Sequence, residues 1–435
     1  IQRKMTPTLH LCLLLAWFCA SVYSHHHPDH QHDHDDHKDK QETHAAPASK
    51  NMTCHKIAPS NANFAFRFYK QIAAEADAKN VFFSPVSIST AFAMLTLGAK
   101  STTQSQIYEG LAFNLTEIEE QEIHEGFHHL IQMFSLSDSE ILLNMGNALF
   151  IDEKLKLLPK FLDDIKSFYA SEGFSSNFTD SAEAEKQIND YIKKKTKGEI
   201  VDLVKNLGPD TVMVLVNYIL FKGKTSYWEH PFNYENTREE DFFVDGKTSV
   251  KVDMMYQESY YRSLNDKHLS CSVVELPYKG SAKALFILPD EGKMKQVEDA
   301  LSTMEVFPKW KKSLRKRVLL NFERISLYIP RFSISGTYDI KEIFQRMGVT
   351  EVFTDQADLS GITGSPELKV SKAIHRAHLN VHENGTEAAA TTVLEISLYS
   401  VPPVIKLNRP FLFFIVEETT HSVLFMGKVV NPTEN

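Results

Sequence analysis

Apolar residues recur along the chain with two different periods, and each period marks a different kind of element. Phe64, Phe68 and Ile72 follow at i, i+4 and i+8, the spacing of a helix that buries one face. Residues 182–197 keep that helical period and stop at Gly198, and residues 338–347 do the same and stop at Gly348. Strand-like runs occupy Ala284–Leu288, then Ile325–Ile334 with alternating Ile, Leu and Phe, and last the pair Phe411–Glu417 and Val423–Val430. Helices crowd the early part and strands the late part, which predicts an α+β fold around a large mixed sheet. Length alone would suggest about two to three domains, yet no linker, repeat or compositional break follows Cys54. The pattern therefore predicts one domain over residues 54–435.

The least ordinary pattern runs from Gly385 to Pro403. Read with a period of two, one face carries Thr386, Ala388, Ala390, Thr392, Leu394 and Ile396, with no charge. The other carries Glu387, Ala389, Thr391, Val393, Glu395 and Ser397, so both carboxylates share the side that can meet water. Proline is absent until Pro402, so every residue from Gly385 to Ser400 can donate a ladder hydrogen bond. The small residues at its start can slide between existing strands with little steric cost. A permanent strand has the same pattern, and the alternation does not separate the two.

Composition changes the picture little. With 43% apolar and 24% charged residues the chain is an ordinary globular protein, not a disordered or fibrous one. A net charge of −9 argues against gripping nucleic acid through a general basic surface. The N-terminus says more. After Met5, residues 11–23 (LCLLLAWFCASVY) form an apolar stretch too short to span a membrane, ending at the small Ser24. That is the form of a secretory signal peptide covering residues 1–24, and no later segment reaches membrane-spanning length. Its removal takes Arg3, Lys4 and no carboxylate, leaving a net charge of −11, and leaves Cys54 and Cys271 as the only cysteines. Sequons at Asn51, Asn114, Asn177 and Asn384 fit a secreted, extracellular glycoprotein. Residues 25–53 read as a polar tail in which seven histidines, His25 to His37, interleave with Asp. Such a tail can hold Zn²⁺ or Cu²⁺ loosely, but the simpler reading is a solvated segment that titrates near neutral pH, and no metal or cofactor is assigned.

Three chemical signals stand out. His124-Glu125-Gly126-Phe127-His128 fits H-E-x-x-H, but Gly126 sits in mid-helix and no third ligand follows. It reads as an amphipathic helix with Ile123, Phe127, Leu130 and Ile131 inward and the histidines outward. Lys309, Lys311, Lys312, Arg315, Lys316 and Arg317 form a dense cationic run, either a solvated helix face or a weak site for heparin-like polyanions. A Ser-His-Asp triad has no G-x-S-x-G anchor, so no enzyme is expected.

Several stretches together resemble the serpins, within them the α1-antitrypsin-like branch, over about residues 55–435. They are Asn80-Val-Phe-Phe-Ser84-Pro85-Val-Ser87, Asn217-Tyr-Ile-Leu-Phe221-Lys-Gly, Ala284 to Pro289 with Asp-Glu-Gly, and Asp358-Leu-Ser-Gly361. The hinge Glu383 to Thr391 and Phe425-Met-Gly-Lys-Val-Val-Asn-Pro432 complete the set. The resemblance implies a single domain with a large central mixed sheet, further sheets, about nine helices and an exposed reactive-centre loop near 383–403. It implies a monomeric inhibitor of chymotrypsin-fold serine proteases that acts by suicide. The protease is trapped as an acyl-enzyme while the cut loop inserts into the sheet.

Counted from Glu383 as P17, the hinge is Gly385, Thr386, Ala388, Ala389, Ala390 and Thr391, and the reactive bond is Tyr399–Ser400. An aromatic P1 suits a chymotrypsin-like S1 slot. Ser84, Ser87, Asn217 and His375 match the family's shutter, a polar cluster under the sheet. Two departures are visible. Thr225-Ser226-Tyr227 interrupt the family's Phe-Lys-Gly-Lys-Trp run, so Trp228 is expected to be displaced or reached through a bulge. Asn384 places a sequon at the hinge. The alternative within the same branch is a non-inhibitory carrier of a small hydrophobic hormone in plasma.

Overall fold

A computed structural model describes residues 52–434 except 77, 136–142, 222–227, 304, 317–322, 367 and 384–400. The signal peptide, nearly all of the tail, Asn51, Asn384, the hinge from Gly385 to Thr391, Tyr399, Ser400 and Arg317 lie outside the described residues. In chain order the first half contains α1 (Thr53–Ala73), β1 (Val81–Phe83), α2 (Pro85–Thr96), α3 (Ser101–Gly110) and α4 (Glu120–Ser135). Then come β2 (Leu143–Asp152), α5 (Pro159–Tyr169), β3 (Glu172–Ser176), α6 (Ser181–Lys195) and β4 (Met213–Phe221). The second half opens with β5 (Arg238–Phe243), β6 (Ser249–Asp266), β7 (Cys271–Pro277), β8 (Ala282–Pro289), α7 (Met294–Leu301) and α8 (Val306–Lys316). It continues through β9 (Glu323–Pro330), β10 (Phe332–Asp339), α9 (Ile340–Arg346), α10 (Ser360–Thr363) and β11 (Lys372–Val381). It ends with β12 (Val404–Lys406), β13 (Phe411–Glu417) and β14 (Ser422–Val429). Ten α-helices are thus described, in line with the nine or so expected, the shortest being the four-residue α10.

Two sheets organise these elements. A five-stranded mixed sheet has the order β10-β11-β4-β2-β3, and a nine-stranded sheet the order β1-β14-β13-β8-β7-β6-β9-β12, with β5 on β6. In the five-stranded sheet β11 and β4 run parallel, as do β2 and β3, while the other contacts are antiparallel. β4 is buried along its whole length, which is why its sequence MVLVNYILF is apolar on both faces apart from Asn217. Ala184, Ile188 and Ile192 of α6 cover one face with Val214 and Val216, while Phe92 of α2 joins Leu215 and Ile219 in the main core on the other.

Two expectations are corrected. The run Ile325–Ile334 is not one strand but β9 and β10, which belong to different sheets. Pro330 cannot donate to a ladder, so pairing with β6 stops there, yet the alternation continues through the switch and conceals it. In α4, His124 points inward, not outward: its Nδ1 lies 2.6 Å from the Tyr169 hydroxyl, and burial lowers its pKa to about 4. The helix is packed against both α1 and α5, so its apolar stripe is wider than one face, whereas Ile131 is only half-buried. Gly126 serves that packing, because a Cβ there would come 2.8 Å from Cγ2 of Ile57. His128 instead meets Gln132 near the surface, so the two histidines do not converge. Among the described residues no group of three or more His, Cys, Asp or Glu is arranged to hold a metal, and no helix is long and apolar enough to cross a membrane.

The two sheets come close together at Gly336 of β10, where a Cβ would fall 1.8 Å from the carbonyl oxygen of Phe82 in β1. Backbone cannot yield as a flexible side chain does. Gly336→Ala is therefore expected to destabilise the fold by about 3 kcal/mol or more, read as a lowered denaturant midpoint, while Gly246→Ala, with nothing near its Cβ, leaves it unchanged.

Candidate functional site

The parallel pair β4/β11 is the centre of the site. Asn217 and His375 face each other in register across it, and Asn147 of β2 is the next partner in the same row. Beneath them α2 begins with Ser84 as N-cap, whose side chain accepts from Ser87 N at 3.3 Å, and with Pro85 fitting the first turn. Ser84 N–H donates to His375 Nε2 at 3.1 Å, which assigns the proton to Nδ1, and Nδ1–H donates to Asn217 Oδ1 at 2.5 Å. Asn217 Nδ2 donates to Asn147 Oδ1 at 2.6 Å and to Ser87 O at 3.1 Å, and Ser87 Oγ donates to Asn217 Oδ1 at 3.0 Å. All five side chains are buried, so every donor and acceptor has to find a partner within the cluster. Burial lowers the His375 pKa to about 3, keeping the imidazole neutral. Ser84, Ser87, Asn217 and His375 are brought together, and Asn147 is a fifth member that sequence reading missed. Its signal was the same as that of Asn217, an amide inside an apolar strand.

At the far end of β11 the chain is pinned before it enters the loop. Glu383 is buried, and its carboxylate receives Arg331 Nη2 at 2.7 Å, Arg331 Nε at 3.1 Å and Thr237 Oγ1 at 2.5 Å. Burial alone would raise the pKa of Glu383, but the bonds from Arg331 and Thr237 outweigh it and hold the group below its usual value. Arg331 also reaches Asp253 at 3.2 Å and stacks 4.9 Å from the Tyr234 ring. Trp228 is buried rather than pushed out. It stacks on Tyr278 at 4.4 Å, and its Nε1–H donates to His382 O at 3.1 Å. Thr225-Ser226-Tyr227 lie outside the described residues. Beyond residue 400 the chain joins β12, an end strand of the other sheet paired to β9. Residues 384–400 therefore link the end of a central strand in one sheet to an outer strand in another.

The remaining candidates are dispersed. Asn114 and Asn177 are exposed, each accepting a backbone N–H two residues on. On α8, Lys309 pairs with Glu305 at 2.8 Å, Lys312 is exposed, and Arg315 lies 3.4 Å from Glu418. Lys311 is half-buried beside the Phe307 ring, and burial lowers its pKa. Lys316 ends the helix. Cys54 and Cys271 are buried free thiols, with pKa values raised by burial to about 11 and about 12.

The profile of the family described as Serpin (serine protease inhibitor) matches residues 59–432. This chain belongs to the serpin family. It is of the alpha-1-antitrypsin type: horse alpha-1-antiproteinase 2 is 50% identical over 97% of this chain and 98% of its own length. Pig alpha-1-antitrypsin is 52% identical over 88% of each. Among solved serpins, human kallistatin superposes with a TM-score of 0.82 at 46% identity, covering 88% of this chain and all of that one. Human thyroxine-binding globulin gives 0.80 at 44%, with the same coverage.

Because His375 of this serpin is neutral when folded and takes a proton near 6.5 when unfolded, it contributes stability that is full above about pH 6.5 and lost as pH falls toward 3. The slope is about 1.4 kcal/mol per pH unit. His375→Gln is expected to be destabilised by a few kcal/mol at pH 7.5. The gap in denaturant midpoint between it and the parent should narrow on acidification to pH 4.5; a constant gap would contradict the assignment.

Proposed function

We propose that this protein is a secreted inhibitor of chymotrypsin-like serine proteases, with Tyr399–Ser400 as its scissile bond. The observation that carries the reading is the parallel β4/β11 pair, bridged by one polar cluster, with the loop departing directly from the end of β11. A strand folding back from that end would enter between β4 and β11 running opposite to both. One parallel ladder would become two antiparallel ones, with a gain of main-chain hydrogen bonds.

The chemistry begins at Tyr399. The protease serine adds to its carbonyl carbon, the C–N bond to Ser400 breaks, and the leaving nitrogen takes a proton from the protease histidine. The acyl-enzyme remains bonded to Tyr399. Release at Ser400 frees residues 384–399 to insert, with Thr386, Ala388 and Ala390 as the small, uncharged face and Ala389 and Thr391 on the other. Insertion requires Asn217 and His375 to separate, and the surrounding hydroxyls and amides can exchange partners as they do so. Glu383 acts as the fixed end from which the loop swings. The role proposed here is that of an inhibitor, not of an enzyme.

N-glycans are assigned to Asn51, Asn114, Asn177 and Asn384, and the cationic face of α8 to heparin-like polyanions. A second reading, carriage of a small apolar anion, draws on the likeness to thyroxine-binding globulin and on one feature of the surface. A groove of about 670 Å³ has an apolar floor of Ala58, Pro59, Ala62 and Phe307 and a rim of Lys311, Lys312 and Arg315.

Incubation with chymotrypsin separates the readings on a denaturing gel. A band that survives boiling, at the summed mass of protease and cleaved protein, is expected, whereas loop clipping without that band supports the carrier. Tyr399→Arg is expected to move inhibition from chymotrypsin to trypsin by at least tenfold in rate, a shift of roughly 1.4 kcal/mol or more in the barrier. Unchanged targets would refute the choice of P1.

A further inference from the structure

One side of the nine-stranded sheet carries a cluster of charges that neither reading above uses. Arg262 of β6 stands directly opposite Glu275 of β7. Pro277, two residues further along β7, stands opposite Lys283 of β8. With a period of two, Tyr260, Arg262, Glu275, Pro277 and Lys283 therefore share one face. Together with Trp228 they line a cavity of about 250 Å³. Glu275 is buried, and its Oε1 receives Lys283 Nζ at 3.2 Å and Arg262 Nη1 at 3.3 Å.

Two hydrogen-bonding positions in this cavity stay open, and they are of opposite kind. The ammonium of Lys283 has three donors, of which Glu275 Oε1 and Glu418 Oε2, at 3.1 Å, take two. Oε2 of Glu275 accepts no hydrogen bond among the described residues. A donor for a carboxylate thus stands beside an acceptor for an ammonium, which is the complement of an α-amino acid. Arg262 and Lys283 are matched by Glu275 and Glu418, so a zwitterion with no net charge keeps that balance. Much of the remaining wall is aromatic. Trp228 is buried, stacks on Tyr278 at 4.4 Å and donates its N–H to the carbonyl of His382, so it offers the cavity only its ring. Tyr260 is 48% exposed, an unusual position for a large ring without a partner. Pockets for drug-sized ligands run to about 300–1,000 Å³, so this smaller one suits a molecule of a single ring rather than a steroid.

We propose that the cavity binds an aromatic α-amino acid. Its carboxylate accepts from Lys283 Nζ, its ammonium donates to Glu275 Oε2, and its ring lies against Trp228 and Tyr260. The inference stands apart from both the loop and the groove beside α8, and holds whether or not the protein inhibits a protease. A ligand that lacks either charged group leaves a shielded polar partner without a bond, so the site selects for the complete head group.

Calorimetry on the intact protein compares L-phenylalanine with 3-phenylpropionate, which lacks the ammonium, and with phenethylamine, which lacks the carboxylate. L-phenylalanine is expected to bind with one molecule per chain, and each analogue roughly tenfold or more weakly. Tyr260→Ala is expected to weaken binding, whereas Lys312→Ser, in the groove beside α8, leaves it unchanged. Glu275→Gln is expected to bind L-phenylalanine no better than 3-phenylpropionate; should it fail to fold, the analogue series and the exposed Tyr260→Ala decide the matter. No binding of L-phenylalanine, equal binding of 3-phenylpropionate to the parent, or binding lost in Lys312→Ser and kept in Tyr260→Ala would each overturn the proposal.

Discussion

Two neighbouring strands, β4 and β11, are joined at their middle by a hydrogen bond between an amide and a neutral imidazole, in a part of the protein where water does not reach. A buried polar group without a partner costs about 1–3 kcal/mol, so the members of this cluster either stay together or change partners in concert. That constraint ties the two strands and the start of α2 into one buried polar unit in the middle of the sheet. The apolar residues around it, Ile219, Leu215 and Phe92 on one side and Val216 on the other, carry no such requirement. The polar row therefore fixes how β4 and β11 meet, and the apolar layers hold the sheet from both faces.

The two ends of β11 divide the work. In its middle the bonds are neutral, short and mutual. At its end the carboxylate of Glu383 is gripped by a guanidinium and a hydroxyl, a charged contact of higher strength and fixed geometry. Arg331 comes from the single residue between β9 and β10, where the chain crosses from one sheet to the other. The crossing point of the fold and the residue that holds Glu383 are thus the same, so the end of β11 is tied to the junction of the two sheets.

Much of the fold could be read in the chain because its elements keep clean periods. Residues 182–197 and the last strand pair needed only helical spacing, alternation and a stopping glycine. The failures have a common cause, since each residue answers to more than one neighbour. His124 lies on a helix covered from two sides, so a single inward stripe was too narrow a description. Arg331 sits in an unbroken alternation that spans two sheets. The polar cluster was reached through likeness to known relatives rather than through pattern, because Ser87, Asn217 and His375 are 130 and 158 residues apart in sequence. What pattern does offer is an asparagine in the middle of MVLVNYILF, a residue type that such a strand tolerates only when something across the sheet needs it.

Histidine usually earns its place in proteins as a sensor of acidity, because its charge changes near neutral pH. Here burial takes that property away and leaves only shape and a fixed tautomer. In the folded protein the imidazole keeps one tautomer well below the pH at which a free histidine gains its charge, and the consequence of that neutrality is a fold that weakens as the medium acidifies.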